Sequence, residues 1–360
     1  MNFERYLKEQ VEMHPSVQPQ DIVKMCYQAA YGAEHLLSDL QGARRYLGEE
    51  YAATEARDTA LYENISDTVC RVNLSAWRFR GLPLQWLFRM FAASAENRDG
   101  RAFSVYLKTA GRAAEEGRLP FGPEAWKSYL EEYESPAPGT QSDGAEKVSS
   151  GPVHHSHQYR EAEGPAYRIV DRRYVRLFPL LEKISELPAT RHPCIIAIDG
   201  RAASGKSTMA RLLCRILDAA VVQMDDFFLP PSLRTKQRYD EPGGNVHYER
   251  FLEEVLPFLA LPECFSYRIF DCGKKDYVGE CTVENKSFRI VEGSYSCHPR
   301  FGNYASLTVF SDVEPGEQLR RISLRNGEAL AELFQKKWIP LEEKYFEEYG
   351  IAEKADIRLD

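Results

Sequence analysis

The sequence predicts two parts: a mainly α-helical domain, then an α/β domain built on a doubly wound parallel sheet. Three observations carry this. From about residue 193, short apolar runs alternate with helix-like segments. A glycine-bearing turn at 200–207 joins the first of those runs to a helix. A stretch at 134–153 with almost no large apolar residue divides the two patterns. We therefore assign 1–133 to the helical domain, 134–165 to a flexible linker and 166–360 to the sheet domain. With 360 residues, the chain exceeds what one core usually organises.

The elements follow in order. Ile22, Met25, Cys26, Ala29, Ala30, Ala33, Leu36, Leu37 and Leu40 recur at three- and four-residue steps, the apolar face of one helix, with Asp21 where an N-cap belongs. Residues 84–91, after Gly81 and Pro83, read as a second helix, and about 102–116 as a third. The linker carries Ser135-Pro136-Ala137-Pro138-Gly139 and Ser149-Ser150-Gly151-Pro152. A short strand is expected at 167–170. A helix over 171–187, with Val175, Phe178, Leu181 and Ile184 inward, ends at Pro188. In the second half, strands are expected at 194–198, 219–224, 288–291, 307–310 and 355–359. Helices are expected at 207–217, 317–325 and 328–349.

Composition narrows the function. The hydrophobic share of 43% supports a sizeable core, and the net charge of −8 disfavours a general nucleic-acid binder. The eight cysteines include no CxxC pair, and the start of the chain reads as charged, amphipathic sequence rather than a leader. No apolar stretch approaches the roughly 18 residues that span a bilayer. The expectation is a cytoplasmic protein without a disulfide framework, without nucleic-acid or membrane partners, and able to form a homo-oligomer.

The chemistry concentrates at Gly200-Arg201-Ala202-Ala203-Ser204-Gly205-Lys206-Ser207, which fits G-x-x-x-x-G-K-[ST] (the Walker A pattern) without mismatch. An apolar strand leads in and a helix leads out, the setting the pattern requires. Glycines permit backbone angles that side chains block, and the N–H groups turn inward around phosphate oxygens. The helix directs its positive end at the same anion. Lys206 reaches β- and γ-phosphates, the Ser207 hydroxyl suits Mg²⁺, and Thr208 caps or packs nearby. Beyond the next strand, Asp225 and then Asp226 can accept the proton of an attacking hydroxyl. Glu292, ending an apolar strand, can stand near the metal. Arg321 and Arg325 share a helix face and can neutralise charge on a transferring phosphoryl group, while the neighbouring Arg320 faces elsewhere. The polar, glycine-containing stretch 234–250 suits substrate contact, with Tyr239 for stacking or packing and His247 for a sugar hydroxyl or plain surface.

These pieces resemble, over residues 193–360, the uridine kinase/phosphoribulokinase-like family of P-loop kinases. The resemblance rests on the 200–207 loop, on Asp225-Asp226-Phe227-Phe228, similar to that family's Asp-x-Phe-Tyr, and on Tyr267-Arg268-Ile269-Phe270-Asp271, similar to its substrate segment. Ile290-Val291-Glu292-Gly293 is similar to its apolar strand ending in Glu-Gly, and 320–325 to its arginine-bearing helix that closes over ATP. It implies ATP and Mg²⁺ as cofactors and Asp225 as base. It implies a small hydroxyl-bearing acceptor, a nucleoside or sugar-like alcohol, contacted by Asp226, Tyr267, Arg268 and Asp271. Phe228 replaces a tyrosine of the family and Asn326 an aspartate, which leaves the acceptor's identity open. Two other readings of the same loop are a hydrolysing NTPase switch and a non-catalytic ATP sensor acting on the helical domain.

The first half carries no pattern that points to chemistry. His154-His155-Ser156-His157 reads as a solvated cluster, because a metal site needs three or four converging ligands. Trp77, Trp86 and Trp126 read as core or interface residues.

Overall fold

The computed structural model describes residues 2–33, 39–96, 100–134, 152–188 and 193–360. The chain divides into two compact units, Met1–Phe178 and Pro179–Asp360. The division lies later than the 165/166 boundary expected from sequence. The reason is pairing: Tyr167–Asp171 forms a strand within the first unit. Most of the expected linker, residues 135–151, lies outside the described residues.

In the first unit, helices Phe3–Met13, Pro19–Tyr31, Leu40–Ala53, Leu84–Ala93, Gly100–Glu115 and Pro123–Glu134 surround one apolar core. Ile22, Met25, Cys26, Ala29, Ala30 and Ala33 are buried, as their spacing predicts. Gly32, at φ 61°, ends that helix, so Leu40 opens the next helix and is exposed. Leu36 and Leu37 lie outside the described residues. Asp21 is not the N-cap. It sits one turn inside, where it accepts from the Gln18 amide at 3.0 Å in a capping box. Trp77, Trp86 and Trp126 are buried.

The unit is not helical throughout. Strands β1 (Tyr62–Asn64), β2 (Val69–Asn73) and β3 (Tyr167–Asp171) form an antiparallel sheet in that order. In β2 the inward Arg71 is as buried as its apolar neighbours. Its guanidinium donates to the Gln28 and Gln10 side-chain oxygens at 2.8–3.1 Å and lies over the Tyr167 ring. Such satisfaction is what lets a charge stay in a core. Helix His157–Glu163 follows the histidine run. The expectation of a solvated cluster fails at His155, which is buried. Its Nδ1 donates to Asp21 at 2.7 Å, its Nε2 meets the Tyr167 hydroxyl at 2.6 Å, and its ring stacks on Tyr159.

In the second unit, strands β4 (Cys194–Gly200), β5 (Ala219–Gln223), β8 (Phe288–Glu292), β9 (Leu307–Ser311) and β10 (Ile357–Leu359) form a parallel sheet. Between β5 and β8, β6 (Phe265–Asp271) and β7 (Asp276–Val283) pair as a separate antiparallel hairpin. The parallel strands run β10-β9-β4-β8-β5. All seven residues of central β4 are buried, the signature of a strand covered on both faces. The helix expected over 328–349 is broken. A π-helical turn, Phe334–Trp338, separates Glu328–Leu333 from Ile339–Tyr349. Pro340 lacks an N–H and its ring crowds the preceding turn, so the wider turn relieves the clash. The helix expected over 171–187 likewise splits, into a 3₁₀ turn Arg172–Leu177 and helix Phe178–Ser185. All eight cysteines are free, and no helix among the described residues is long and apolar enough to cross a membrane.

The His155 cluster makes the first unit acid-sensitive. Burial pulls the imidazole from 6.5 down to about 4 against the bond from Asp21. The unfolded chain therefore binds a proton over that interval that the folded chain refuses. Stability is full above pH 6.5 and falls by up to about 3 kcal/mol as pH drops toward 4. Urea unfolding across this range should show the loss, and His155→Gln should flatten it. An equally steep loss in the variant would contradict the assignment.

Candidate active site

Strand β4 ends in the loop, and the backbone there is shaped for an anion. Gly200, Ala203 and Gly205 have φ of 138°, 58° and 103°. Gly200 must be glycine, since a Cβ would lie 2.0 Å from the Ser311 carbonyl oxygen. The turn is closed from outside: the Arg201 amide donates to Ser311 at 3.1 Å and the Ser204 amide to Arg201 at 3.2 Å. The amides of Ala203 and Gly205 donate to no acceptor among the described residues. Those of Lys206 and Ser207 open helix Lys206–Leu217, where a helix leaves its N–H groups unused. Four donors close together in the chain thus remain unused at the positive end of a helix.

Lys206 is nearly buried, and its Nζ donates to the Gly200 and Arg201 carbonyls at 2.7 and 2.8 Å. Two acids that sequence reasoning missed sit against the loop. Asp199, wholly buried, accepts from the amides of Gly200, Tyr295 and Cys297 and from the Tyr345 hydroxyl at 2.7–3.1 Å. Glu342 accepts from the Ala202 amide at 3.0 Å and the Ser294 hydroxyl at 2.8 Å. Burial pushes both carboxyls up, and the Lys206 charge opposes that shift. Asp199 adjoins Gly200 and was open to inspection. Glu342 lies 140 residues from its loop partner and gave no linear signal.

At the neighbouring strand ends, the Ser207 hydroxyl donates to Glu292 at 3.2 Å. Burial raises Glu292, and the nearby carboxylates of Asp225 and Asp226 raise it further. Asp226 is raised by burial and by Asp225, against a hydrogen bond from the buried Tyr267 hydroxyl at 3.0 Å. Asp225 is exposed and has no hydrogen-bond partner among the described residues. Acids crowded beside a hydroxyl fit a hydrated divalent cation held partly by phosphate oxygens. No three His, Cys, Asp or Glu side chains form a closed metal cage among the described residues.

The remaining predicted residues separate. Arg321 donates to the Ala203 carbonyl at 3.2 Å and pairs with Glu317 at 2.7 Å. Arg320 pairs only with Glu317. Arg325 is solvent-exposed and bonds Asn326, so the structure brings one of the proposed pair to the loop. Arg201 pairs with Asp312 and Glu343. Thr208 is exposed beside Arg211. Alternation along β6 sends Tyr267 inward and Arg268 outward, where Glu254 holds it at 2.5 Å. Asp271 shapes the β6–β7 turn by accepting from the Gly273 and Lys274 amides. His247 is half-buried, and its Nδ1 has no hydrogen-bond partner among the described residues. Tyr239 lies under Lys337, with the ammonium 4.6 Å from the ring centre.

Glu342 supplies the test of this geometry. Glu342→Ala strands the Ala202 amide and should cost about 1–3 kcal/mol of stability. Glu342→Gln keeps an acceptor and should cost less than half as much. Equal losses in thermal unfolding would show that the bond to the loop contributes nothing.

Neither a protein-family model nor a curated protein matches the chain. Among solved structures, the chain is similar to a protein named as a possible uridine kinase from Bacillus stearothermophilus. The identity is 18% and the TM-score 0.43, over 52% of this chain and 100% of that one. It is also similar to a protein named as a candidate fructose transport system kinase from Silicibacter sp. TM1040. There the identity is 20% and the TM-score 0.40, over 48% of this chain and 92% of that one.

Proposed function

We propose that the second unit binds Mg²⁺–ATP and transfers the γ-phosphoryl group to a hydroxyl of a small metabolite, a nucleoside or sugar-like alcohol. One observation carries this reading: the unused amides of Ala203, Gly205, Lys206 and Ser207 lie in one turn whose outer edge is already bonded. That arrangement suits a polyphosphate. Ser207 and Glu292 would hold the magnesium ion, which when bound screens the charge on the β- and γ-phosphates.

The chain's own side chains do the rest. Lys206 exchanges its bonds to loop carbonyls for phosphate oxygens. Asp225, exposed and unpartnered, takes the proton of the acceptor hydroxyl as that oxygen forms its bond to phosphorus and the bond to the departing ADP oxygen breaks. Asp226 is less suited to this step because Tyr267 already occupies it. Its place is in orienting the acceptor, together with Tyr267 and His247. Arg321, already on the loop, is better placed than Arg325 to offset charge on the transferring group.

The test is incubation of the full chain with labelled ATP, magnesium and a panel of nucleosides, pentoses and related alcohols. A phosphorylated acceptor is expected, and Asp225→Asn should lower its formation by roughly 10²- to 10⁴-fold while ATP affinity holds. Hydrolysis without any acceptor would favour an NTPase switch. ATP binding without turnover would favour a sensor. Either result contradicts the proposal.

A further inference from the structure

The first unit contains a cleft of about 840 Å³ that the activity proposed for the second unit does not use. Helix Pro19–Tyr31 contributes Lys24, helix Leu40–Ala53 contributes Tyr46 and Glu50, and β3 contributes Arg168. Arg168 is 6% exposed. Its Nη1 is fully engaged, donating to Glu50 at 2.5 Å and to the Tyr167 carbonyl at 2.8 Å. Its Nη2 is buried and has no hydrogen-bond partner among the described residues. Leaving guanidinium N–H groups buried and unpaired is costly, so such a donor marks a place where an acceptor belongs.

The surroundings favour an anion as that acceptor. Lys24, Arg160 and Arg168 line the cleft against only Glu50 and Asp39. Both acids are already committed, Glu50 to Arg168 and Asp39 to capping the amides of Gln41 and Gly42. Among the described residues, the Lys24 ammonium donates only to the Val153 carbonyl, at 2.7 Å, and has no hydrogen-bonded carboxylate partner. Burial, aided by the Arg71 charge and opposed by the Asp21 carboxylate, lowers it to about 8. The faces of Tyr46 and Phe91 approach the Arg168 guanidinium at 5.5 and 5.8 Å, which fixes its plane.

We propose that this cleft is a binding site for the oxyanion of a small metabolite, a phosphate ester or a carboxylate, with Arg168 Nη2 and Lys24 Nζ as its donors. Arg168 offers the N–H groups of Nη2, and Lys24 adds a point charge. The site is independent of the phosphate loop, and its occupant need not be a nucleotide.

The test is local. The full chain is labelled with acetic anhydride at neutral pH, and modification of Lys24 is followed by peptide mass spectrometry. Inorganic phosphate and acetate are the two probes, and the exposed Lys183 is the internal reference for the other unit. One or both probes should slow Lys24 labelling in a saturable manner. Protection by phosphate alone assigns phosphate esters, by acetate alone carboxylates, and by both an oxyanion site of either kind. Arg168→Met should weaken the protecting probe about tenfold. Glu50→Gln keeps the arginine, removes the competing acid and should strengthen that probe by a similar factor. The second variant decides the matter if the first does not fold. Lack of protection by either probe, or protection unchanged in a folded variant, would overturn the site.

Discussion

The second unit depends on one close approach, that of the Gly200 backbone to the backbone of Ser311. No side chain fits between the two strand ends. Because β4 and β9 meet there, the chain leaving β4 must turn sharply. The left-handed angles at Ala203 and Gly205 complete the turn. Helix Lys206–Leu217 then begins with its first N–H groups unused. The unused amides proposed to receive phosphate are thus a consequence of how tightly two parallel strands end, not an ornament placed on a finished fold.

Holding such a turn requires partners for the groups it turns outward. Asp199 accepts from the Gly200 amide and Glu342 from the Ala202 amide, and Ser294 donates to both the Gly200 carbonyl and Glu342. Gln318 and Arg321 bond the carbonyls of Ala202 and Ala203. Buried acids so close to a loop meant for anions look contradictory. Lys206 resolves the conflict, since its charge opposes the rise in their proton affinity. The same lysine, held by two carbonyl bonds, is stored where a polyphosphate can draw it out.

The sequence disclosed what is local and concealed what is distant. The loop, its strand and its helix are contiguous, so pattern and periodicity foresaw a strand, a glycine-bearing turn and a helix around Gly200–Ser207. The parallel strands were legible as short apolar runs for the same reason. Arg325 was misjudged as Arg321's equal, because a shared helix face says nothing about how far along the helix the loop lies. Glu342 was invisible, as its role arises only when a distant helix packs under the loop. In the first unit, β2 escaped notice because the inward Arg71 interrupts its apolar run, and its partner β3 is about a hundred residues away. His155 sat in a polar, histidine-rich stretch whose composition gave no hint that Asp21, Tyr159 and Tyr167 enclose it.

Both units therefore bury polar and charged side chains, the first around Arg71 and His155, the second around Asp199, Glu342 and Lys206. The claim that matters most is that the second of these assemblies receives a polyphosphate. Calorimetric titration of the full chain with ATP in the presence of magnesium addresses it directly. The account predicts one saturable site of about micromolar affinity, weakened roughly a hundredfold in Lys206→Ala by the loss of charge-assisted bonds. An isotherm indistinguishable between the two proteins, or no heat of binding in either, would contradict it.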